Sequence, residues 1–377
     1  MKRSLCAVLC ALLLTTGAAA LPAMGELKAK SAALYDQNGQ MLYEYNAEQP
    51  LQPASVTKIM TMLLAIEAID RGEVKLTDMV TGSAHAASMG GTQIWLKEGE
   101  QLSMDEMLKA IAVGSANDCA VAVAEHLCGT ETAFVEKMNA RAKELGCTGT
   151  TFVNANGLDA GEQKTMTTAR DLALISVELL RHPKILDYTT IWMDTIRGGQ
   201  FSLANTNKML RSYQGLIGLK TGYISEAGFC ISAAAERDGM TLIATVMAAP
   251  TKEDRMADAT ALLNYGFANF APYTPDLSEA LTPVPVTMGR AETVDVEAGA
   301  CGTLIVEKEK LAGLQTRVTL PESVEAPVAA GQVLGTAEVL DGETVLASIE
   351  LTAAAAVERL TFRDLYLSLL RVMLGKA

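Results

Sequence analysis

The sequence predicts an α/β (α+β) domain in which helices flank an antiparallel sheet, followed by a small all-β sandwich domain and a C-terminal amphipathic helix. Three observations carry this reading. A helical stretch from Val56 to Ile69 is apolar on nearly every face, as a core helix should be. Gly218 to Tyr223, Gly228 to Ala235 and Thr241 to Ala248 read as consecutive antiparallel strands. Past a cluster of prolines (Pro272, Pro275, Pro283, Pro285), short alternating runs follow one another with turn signals and no helix between them.

The chain has 377 residues, 49% of them apolar, and a formal net charge of −13. That length suffices for two domains with a buried core. The acidic balance argues against a nucleic-acid partner, because phosphate binding needs a basic surface. The chain divides into a signal peptide over 1–23, a main domain over 24–273, an all-β domain over 277–357 and an amphipathic helix over 358–377. Lys2 and Arg3 form a basic n-region, Leu5 to Leu14 an apolar h-region, and Ala18 to Ala23 offers small-residue cleavage sites. The apolar run is short for an uncleaved anchor of ~20 residues, so the mature protein starts near Met24, outside the cytoplasm. Five cysteines remain beyond the signal: Cys119, Cys128, Cys147, Cys230 and Cys301. On one helix, Cys119 and Cys128 are ~13.5 Å apart in rise, too far for a disulfide, which needs Cα atoms within ~7 Å. Free, mostly buried thiols are expected.

Taken in order, Ser31 to Tyr35 and Met41 to Tyr45 flank Asn38-Gly39 and predict a hairpin. The core helix then starts at Ser55 and ends near Arg71-Gly72. Ser103-Met104-Asp105-Glu106 fits a capping box for a helix through Leu108, Ile111 and Val113. Gly114 breaks that helix and Asn117 restarts one, so Ser115 and Asn117 lie on a short interhelical connection. Further helices are expected over Thr132 to Leu145, Thr168 to Arg181 and Ala257 to Phe270. In the β region, strands are expected at Val284 to Met288, Thr293 to Glu297, Thr303 to Glu307, Thr316 to Leu320, Val333 to Val339 and Val345 to Leu351. At ~100° per residue, Thr361, Asp364, Ser368 and Arg371 fall on one narrow face of the tail, and apolar residues cover the rest. The tail is too short to span a bilayer. It suits a helix lying in the membrane interface, with Arg363, Arg371 and Lys376 near headgroups, and the alternative is a helix packed on its own domain or on a partner.

Three short motifs carry the chemistry: Ser55-Val56-Thr57-Lys58, Ser115-Ala116-Asn117 and Lys220-Thr221-Gly222. Each alone is weak, and together they form a signature of serine acyl-enzymes. A serine hydroxyl is a poor nucleophile until a base takes its proton. Residues three apart share a helix face, so Lys58 meets Ser55. Lys58 is a base only when neutral, and burial, a helix N-terminus and a second cation such as Lys220 all favour that form. The bland alternative makes Ser55 a helix N-cap and Lys58 a solvated charge, which the apolar surroundings of Lys58 count against. Ser115 suits a proton relay to the leaving amine. The Asn117 amide suits a substrate backbone carbonyl. Lys220 and Thr221, on an edge strand, suit the substrate carboxylate, and Gly222 lets substrate approach the backbone. The stretch Gly218 to Gly222 lacks phosphate-loop spacing. His85, His126 and His182 are scattered without metal-ligand spacing.

Pro53-Ala54-Ser55-Val56-Thr57-Lys58, Gly114-Ser115-Ala116-Asn117-Asp118 and Gly218-Leu219-Lys220-Thr221-Gly222-Tyr223 resemble the serine-type D-alanyl-D-alanine carboxypeptidases, the low-molecular-mass penicillin-binding proteins. Asn154 to Leu158 and Thr167-Thr168-Ala169 share the resemblance, which covers nearly the whole chain. It implies a serine β-lactamase/penicillin-binding-protein-like domain with a five-stranded sheet. It implies removal of the terminal D-alanine from peptidoglycan pentapeptide stems, acylation by β-lactams, and attachment to the outer face of the cytoplasmic membrane. It implies an oxyanion hole from the backbone N–H groups of Ser55 and Tyr223, and no cofactor or metal. Two departures stand out. Some relatives carry histidine at the Tyr223 position. Many carry an arginine near Asn205 to Lys208, where this chain has Asn205-Thr206-Asn207-Lys208; Arg211 or Arg255 is the candidate replacement.

Two rivals share parts of this pattern. A class A-like β-lactamase needs a carboxylate to activate water, and no E-x-x-L-N occurs between Gly129 and Thr168. A non-enzymatic wall-binding scaffold would have a decayed site, yet all three motifs are intact.

Overall fold

The computed structural model describes residues 24–158, 161–278 and 280–373. The predicted signal peptide over 1–23 and Lys376 lie outside these residues.

The main sheet has five antiparallel strands: β1 (Ser31–Asp36), β2 (Met41–Tyr45), β3 (Leu216–Ile224), β4 (Gly228–Arg237) and β5 (Met240–Ala249). Their spatial order is β2-β1-β5-β4-β3. The N-terminal hairpin therefore forms one edge, and the chain returns after the helical region to add β3, which becomes the other edge. Strand β5 closes the sheet against β1 in a six-residue register from Ser31↔Met247 to Asp36↔Leu242.

Both faces of the sheet are covered, and the period of two along each strand shows it. Tyr35, Cys230, Ala234, Ile243 and Met247 pack with the helical region. Leu34, Ile231, Ala233, Leu242, Ala244 and Val246 pack on the opposite side, with Leu262 and Leu263 of the closing helix. That helix comes close because of Gly266, where a Cβ would stand 2.4 Å from Leu242.

The core helix spans Lys58–Asp70, and eleven of its thirteen residues are buried. Helices Met104–Gly114, Asn117–Cys128, Glu131–Glu144 and Ala169–Leu180 surround it. The Ser103–Glu106 capping box forms in both directions. The closing helix begins at Lys252, five residues before the expected Ala257, because Thr251 caps it through Asp254 N. Cys119, Cys147 and Cys230 are free and buried; Cys128 and Cys301 are free but only half buried.

The C-terminal β region holds a three-stranded sheet (Thr293–Val294, Val284–Thr287, Val324–Glu325) and a four-stranded sheet (Val296–Ala298, Thr344–Ala353, Val333–Asp341, Leu314–Thr319) around small apolar clusters. One expected strand goes elsewhere. Leu304–Glu307 pairs with Phe270–Tyr273, directly after the closing helix. Ile305 is buried in the same cluster as Phe270 and Leu262, so this strand ties the β region to the main domain.

The tail forms the helix Phe362–Met373. Thr361 and Asp364 cap its start reciprocally, and Arg290 bonds both Asp364, at 3.1 Å, and Glu358. Several of its apolar residues stand in solvent: Phe362, Leu369 and Met373 are 84%, 62% and 81% exposed. No helix among the described residues is long and apolar enough to cross a membrane.

Candidate active site

Ser55 sits on a strained turn. Ala54 has φ 48°, a left-handed conformation uncommon for a residue with a side chain and costing ~1–3 kcal/mol. Ala54–Thr57 then form one 3-10 turn ahead of the core helix. The expected α-helical start at Ser55 is thus replaced by a tighter turn, with the long helix beginning at Lys58. No side chain caps either element. The Ser55 hydroxyl instead lies 3.0 Å from Lys58 Nζ.

Lys58 is fully buried. Besides Ser55, its Nζ contacts Asn117 Oδ1 at 2.6 Å and the Asn156 carbonyl at 2.7 Å. Both of these are acceptors only. A neutral amine donates its two hydrogens to them and turns its lone pair to the Ser55 hydroxyl. Burial pushes the Lys58 pKa well below its usual value; the Lys220 charge pushes it further down, and the Asp118 carboxylate opposes both. Asp118 is held in place by the backbone N–H groups of Ile94 and Leu96, at 3.0 and 2.9 Å.

Lys220 is also buried, and burial together with the neighbouring Arg255 brings its pKa down to about 7. Its Nζ donates to the Thr221 carbonyl at 3.0 Å. A cleft of about 270 Å³ opens beside these groups, lined by Ser55, Ser115, Thr206, Thr221, Tyr223 and Arg255 among others. Thr221 Oγ1 donates to Thr206 Oγ1 at 2.8 Å. Tyr223 is exposed and stacks on Phe229, centroids 4.2 Å apart.

The structure adds protein contacts that the sequence does not show for three of these residues. Gly222 was expected to make room for substrate, and it lines the cleft. A Cβ there would stand 2.5 Å from the Pro53 carbonyl and 3.0 Å from Ser55 N, so the glycine lets β3 press against the Ser55 turn itself. The Asn117 amide was expected to face substrate; in the structure its Nδ2 donates to the Gly90 carbonyl at 2.7 Å, which anchors the loop over the site. Lys220 was expected at the substrate carboxylate; its ammonium is buried behind the wall, and the cations that line the cleft are Lys252 and Arg255.

Of the two candidate arginines, Arg255 lines the cleft. It is 4% exposed, its Nη1 reaches the Cys230 carbonyl at 3.4 Å, and its buried Nε has no hydrogen-bond partner among the described residues. Arg211, by contrast, lies exposed over the Trp192 ring, 5.4 Å from its centroid. The signal that places Arg255 is the Thr251-x-x-Asp254 cap, which puts it in the first turn of the closing helix. The Asn156 carbonyl has no such signal, since it depends on Gly157 (φ 81°), where a Cβ would lie 2.0 Å from the Ala54 carbonyl.

His182 does approach two carboxylates, Glu67 and Glu178, with ligand atoms within 4.8 Å. Both already accept from Arg141, at 2.8 and 2.6 Å, so the group is an ion-pair network.

A family model described as D-alanyl-D-alanine carboxypeptidase matches residues 16–251. A second, described as the C-terminal domain of penicillin-binding protein 5, matches residues 276–359. The D-alanyl-D-alanine carboxypeptidase DacF of Bacillus subtilis is 37% identical over 341 residues, 89% of this chain and 87% of that protein. DacA of Escherichia coli is 31% identical over 336 residues, 86% and 83% of the two chains. Among solved structures, penicillin binding protein 5 from Haemophilus influenzae is 30% identical with TM-score 0.77, covering 90% of this chain and all of its own. Penicillin-binding protein D2 from Listeria monocytogenes, in its ampicillin-bound form, is 36% identical with TM-score 0.59, covering 64% and 98%. One set of relatives thus accounts for both the domain that holds the serine–lysine pair and the β region behind it, and the chain belongs to the D-alanyl-D-alanine carboxypeptidase family.

Proposed function

We propose that this protein is a serine carboxypeptidase that removes the terminal D-alanine from peptidoglycan pentapeptide stems through an acyl-enzyme on Ser55. The observation that carries the reading is the set of three partners of the buried Lys58 Nζ. Two are obligate acceptors and the third is the Ser55 hydroxyl. Only the neutral amine satisfies all three while activating the serine.

Lys58 takes the Ser55 proton as Oγ attacks the carbonyl of the penultimate D-alanine. The backbone N–H groups of Ser55 and Tyr223 hold the developing oxyanion. Ser115, in the cleft wall, relays the proton to the leaving amine. The departing D-alanine carboxylate is held by the Thr221 hydroxyl and by Arg255, with Lys220 adding positive potential from behind. Asn117 keeps Lys58 aimed, and Gly222 keeps the Ser55 turn against β3. Water then hydrolyses the ester with Lys58 again as base. β-Lactams acylate the same serine. Incubation with a blocked peptide ending in D-Ala-D-Ala should release D-alanine, and labelled penicillin should stay bound to the segment Pro53 to Lys58. Rapid turnover of that label would favour the lactamase reading, and no label in folded protein the scaffold reading.

The enzyme works outside the cytoplasm, where its substrate lies. The exposed apolar side of Phe362–Met373 rests in the outer face of the cytoplasmic membrane, with Arg363 near headgroups. The β region holds the catalytic cleft away from that surface.

A further inference from the structure

Trp95 stands exposed on a loop between two buried neighbours. It is 66% exposed, whereas Ile94 and Leu96 on either side are 1% and 2% exposed. Its backbone is left-handed, φ 55°, an outlier for so bulky a residue. Backbone strain of this kind clusters at ligand-contacting sites.

The surroundings enforce this display. Asp118 fixes the N–H groups of Ile94 and Leu96. Arg197, itself left-handed at φ 54°, donates from Nη1 to the Ile94 carbonyl at 2.8 Å and from Nε to Glu100 at 2.7 Å. Its guanidinium lies 5.3 Å from the centroid of Phe201. Phe201 in turn meets the indole edge-to-face, centroids 6.0 Å apart. The result is a braced aromatic surface with its indole turned to solvent.

The loop also reaches the cleft. Thr92 lines the cleft, and its carbonyl accepts from Asn117 N at 2.8 Å. Trp95 is three residues further, at most ~10 Å along an extended chain. Phe201 precedes Thr206, on the opposite cleft wall, by five residues. A stem peptide with its scissile bond at Ser55 has four residues between that carbonyl and the sugar that carries it, a reach of ~13 Å. A stem seated at Ser55 is therefore long enough to pass Thr92 on the cleft wall and bring its sugar to the segment that carries Trp95. A pyranose ring presents an apolar C–H face that suits a flat indole.

We infer that Trp95, braced by Phe201 and Arg197, is a specificity-determining platform that stacks on the sugar ring carrying the stem peptide, so that glycan-linked stems are preferred over free peptides. This rests on the carboxypeptidase reading and adds a subsite to it.

The test compares Trp95→Ala with the unsubstituted protein on three substrates: a blocked tripeptide ending in D-Ala-D-Ala, the free pentapeptide, and the disaccharide-pentapeptide. Loss of the stack should raise KM for the disaccharide-pentapeptide by about 3- to 10-fold, with kcat retained. KM for the two peptides should stay the same, and Trp95→Phe should restore most of the preference. Unaltered penicillin acylation shows that the variant is folded. An equal KM rise on pentapeptide and disaccharide-pentapeptide would overturn the sugar assignment in favour of a peptide contact. No change on any substrate would overturn the platform altogether. Failure of the unsubstituted protein to release D-alanine from all three would sink the carboxypeptidase reading and the platform with it.

Discussion

Burying a lysine is costly, and this protein buries two beside a third cation. Lys58 is fully buried, Lys220 and Arg255 nearly so, and neither lysine has a carboxylate partner among the described residues. The cost falls on the charged forms, which is why burial depresses both lysines. The unfolded chain returns Lys220 to about 10.5, against about 7 when folded. The folded group thus loses its proton first, and between those two values stability rises with pH. Replacing Lys220 with methionine should therefore raise the melting temperature at pH 6, with a gap to the parent that shrinks as pH climbs from about 7 towards 10.5. A gap independent of pH would show that Lys220 is not the group responsible. Activity should move the opposite way. In the proposed mechanism the cleft needs Lys220 charged, so kcat/KM for a substrate with a free carboxylate should decline above about 7. Lys220→Arg should push that decline to higher pH. Arg255→Gln should cost ~1.5–3 kcal/mol in kcat/KM for such substrates, measured against an amidated analogue that loses little.

At the scale of elements, local signals were read well where they were self-contained. The Asn38-Gly39 hairpin, the Ser103 capping box and the strands around Lys220 follow from residues close in sequence. What escaped was set by neighbours far along the chain. The sequence cannot show that Asn117 Nδ2 holds the Gly90 carbonyl, 27 residues away. Nothing in β3 announces that the Pro53-Ser55 turn packs on Gly222. Leu304–Glu307 has an ordinary strand pattern, and its partner Phe270–Tyr273 lies across the expected domain boundary. The Gly222 contact has a measurable consequence. In Gly222→Ala the new Cβ would meet the Pro53 backbone carbonyl at 2.5 Å, so the turn and β3 must move apart, and penicillin acylation should slow by ~100-fold or more as Ser55 is displaced, with circular dichroism checking that the variant is folded. Acylation at the parental rate would mean the turn yields without moving the hydroxyl.

Across the whole molecule, the β region is joined to the main domain by a strand pair and a shared apolar cluster. The tail, by contrast, hangs from the far end by Arg290 and a capped first turn. An exposed apolar helix of this kind costs solubility unless something covers it. Truncation after Glu358 should release the protein from anionic liposomes while D-alanine release from a soluble peptide continues. A full-length protein that floats free of liposomes, or a truncation that abolishes hydrolysis, would contradict the anchor.

The central claim is that neutral Lys58 activates Ser55, and the rate of Ser55 acylation by labelled penicillin across pH tests it most directly. In the parent, acylation should rise with pH through a pKa well below that of an ordinary lysine, with the adduct mapping to Pro53 to Lys58. In Lys58→Ala it should fall by ~100- to 10,000-fold while circular dichroism is unchanged. Acylation of the folded variant at close to the parental rate, or an adduct on another residue, would contradict the account.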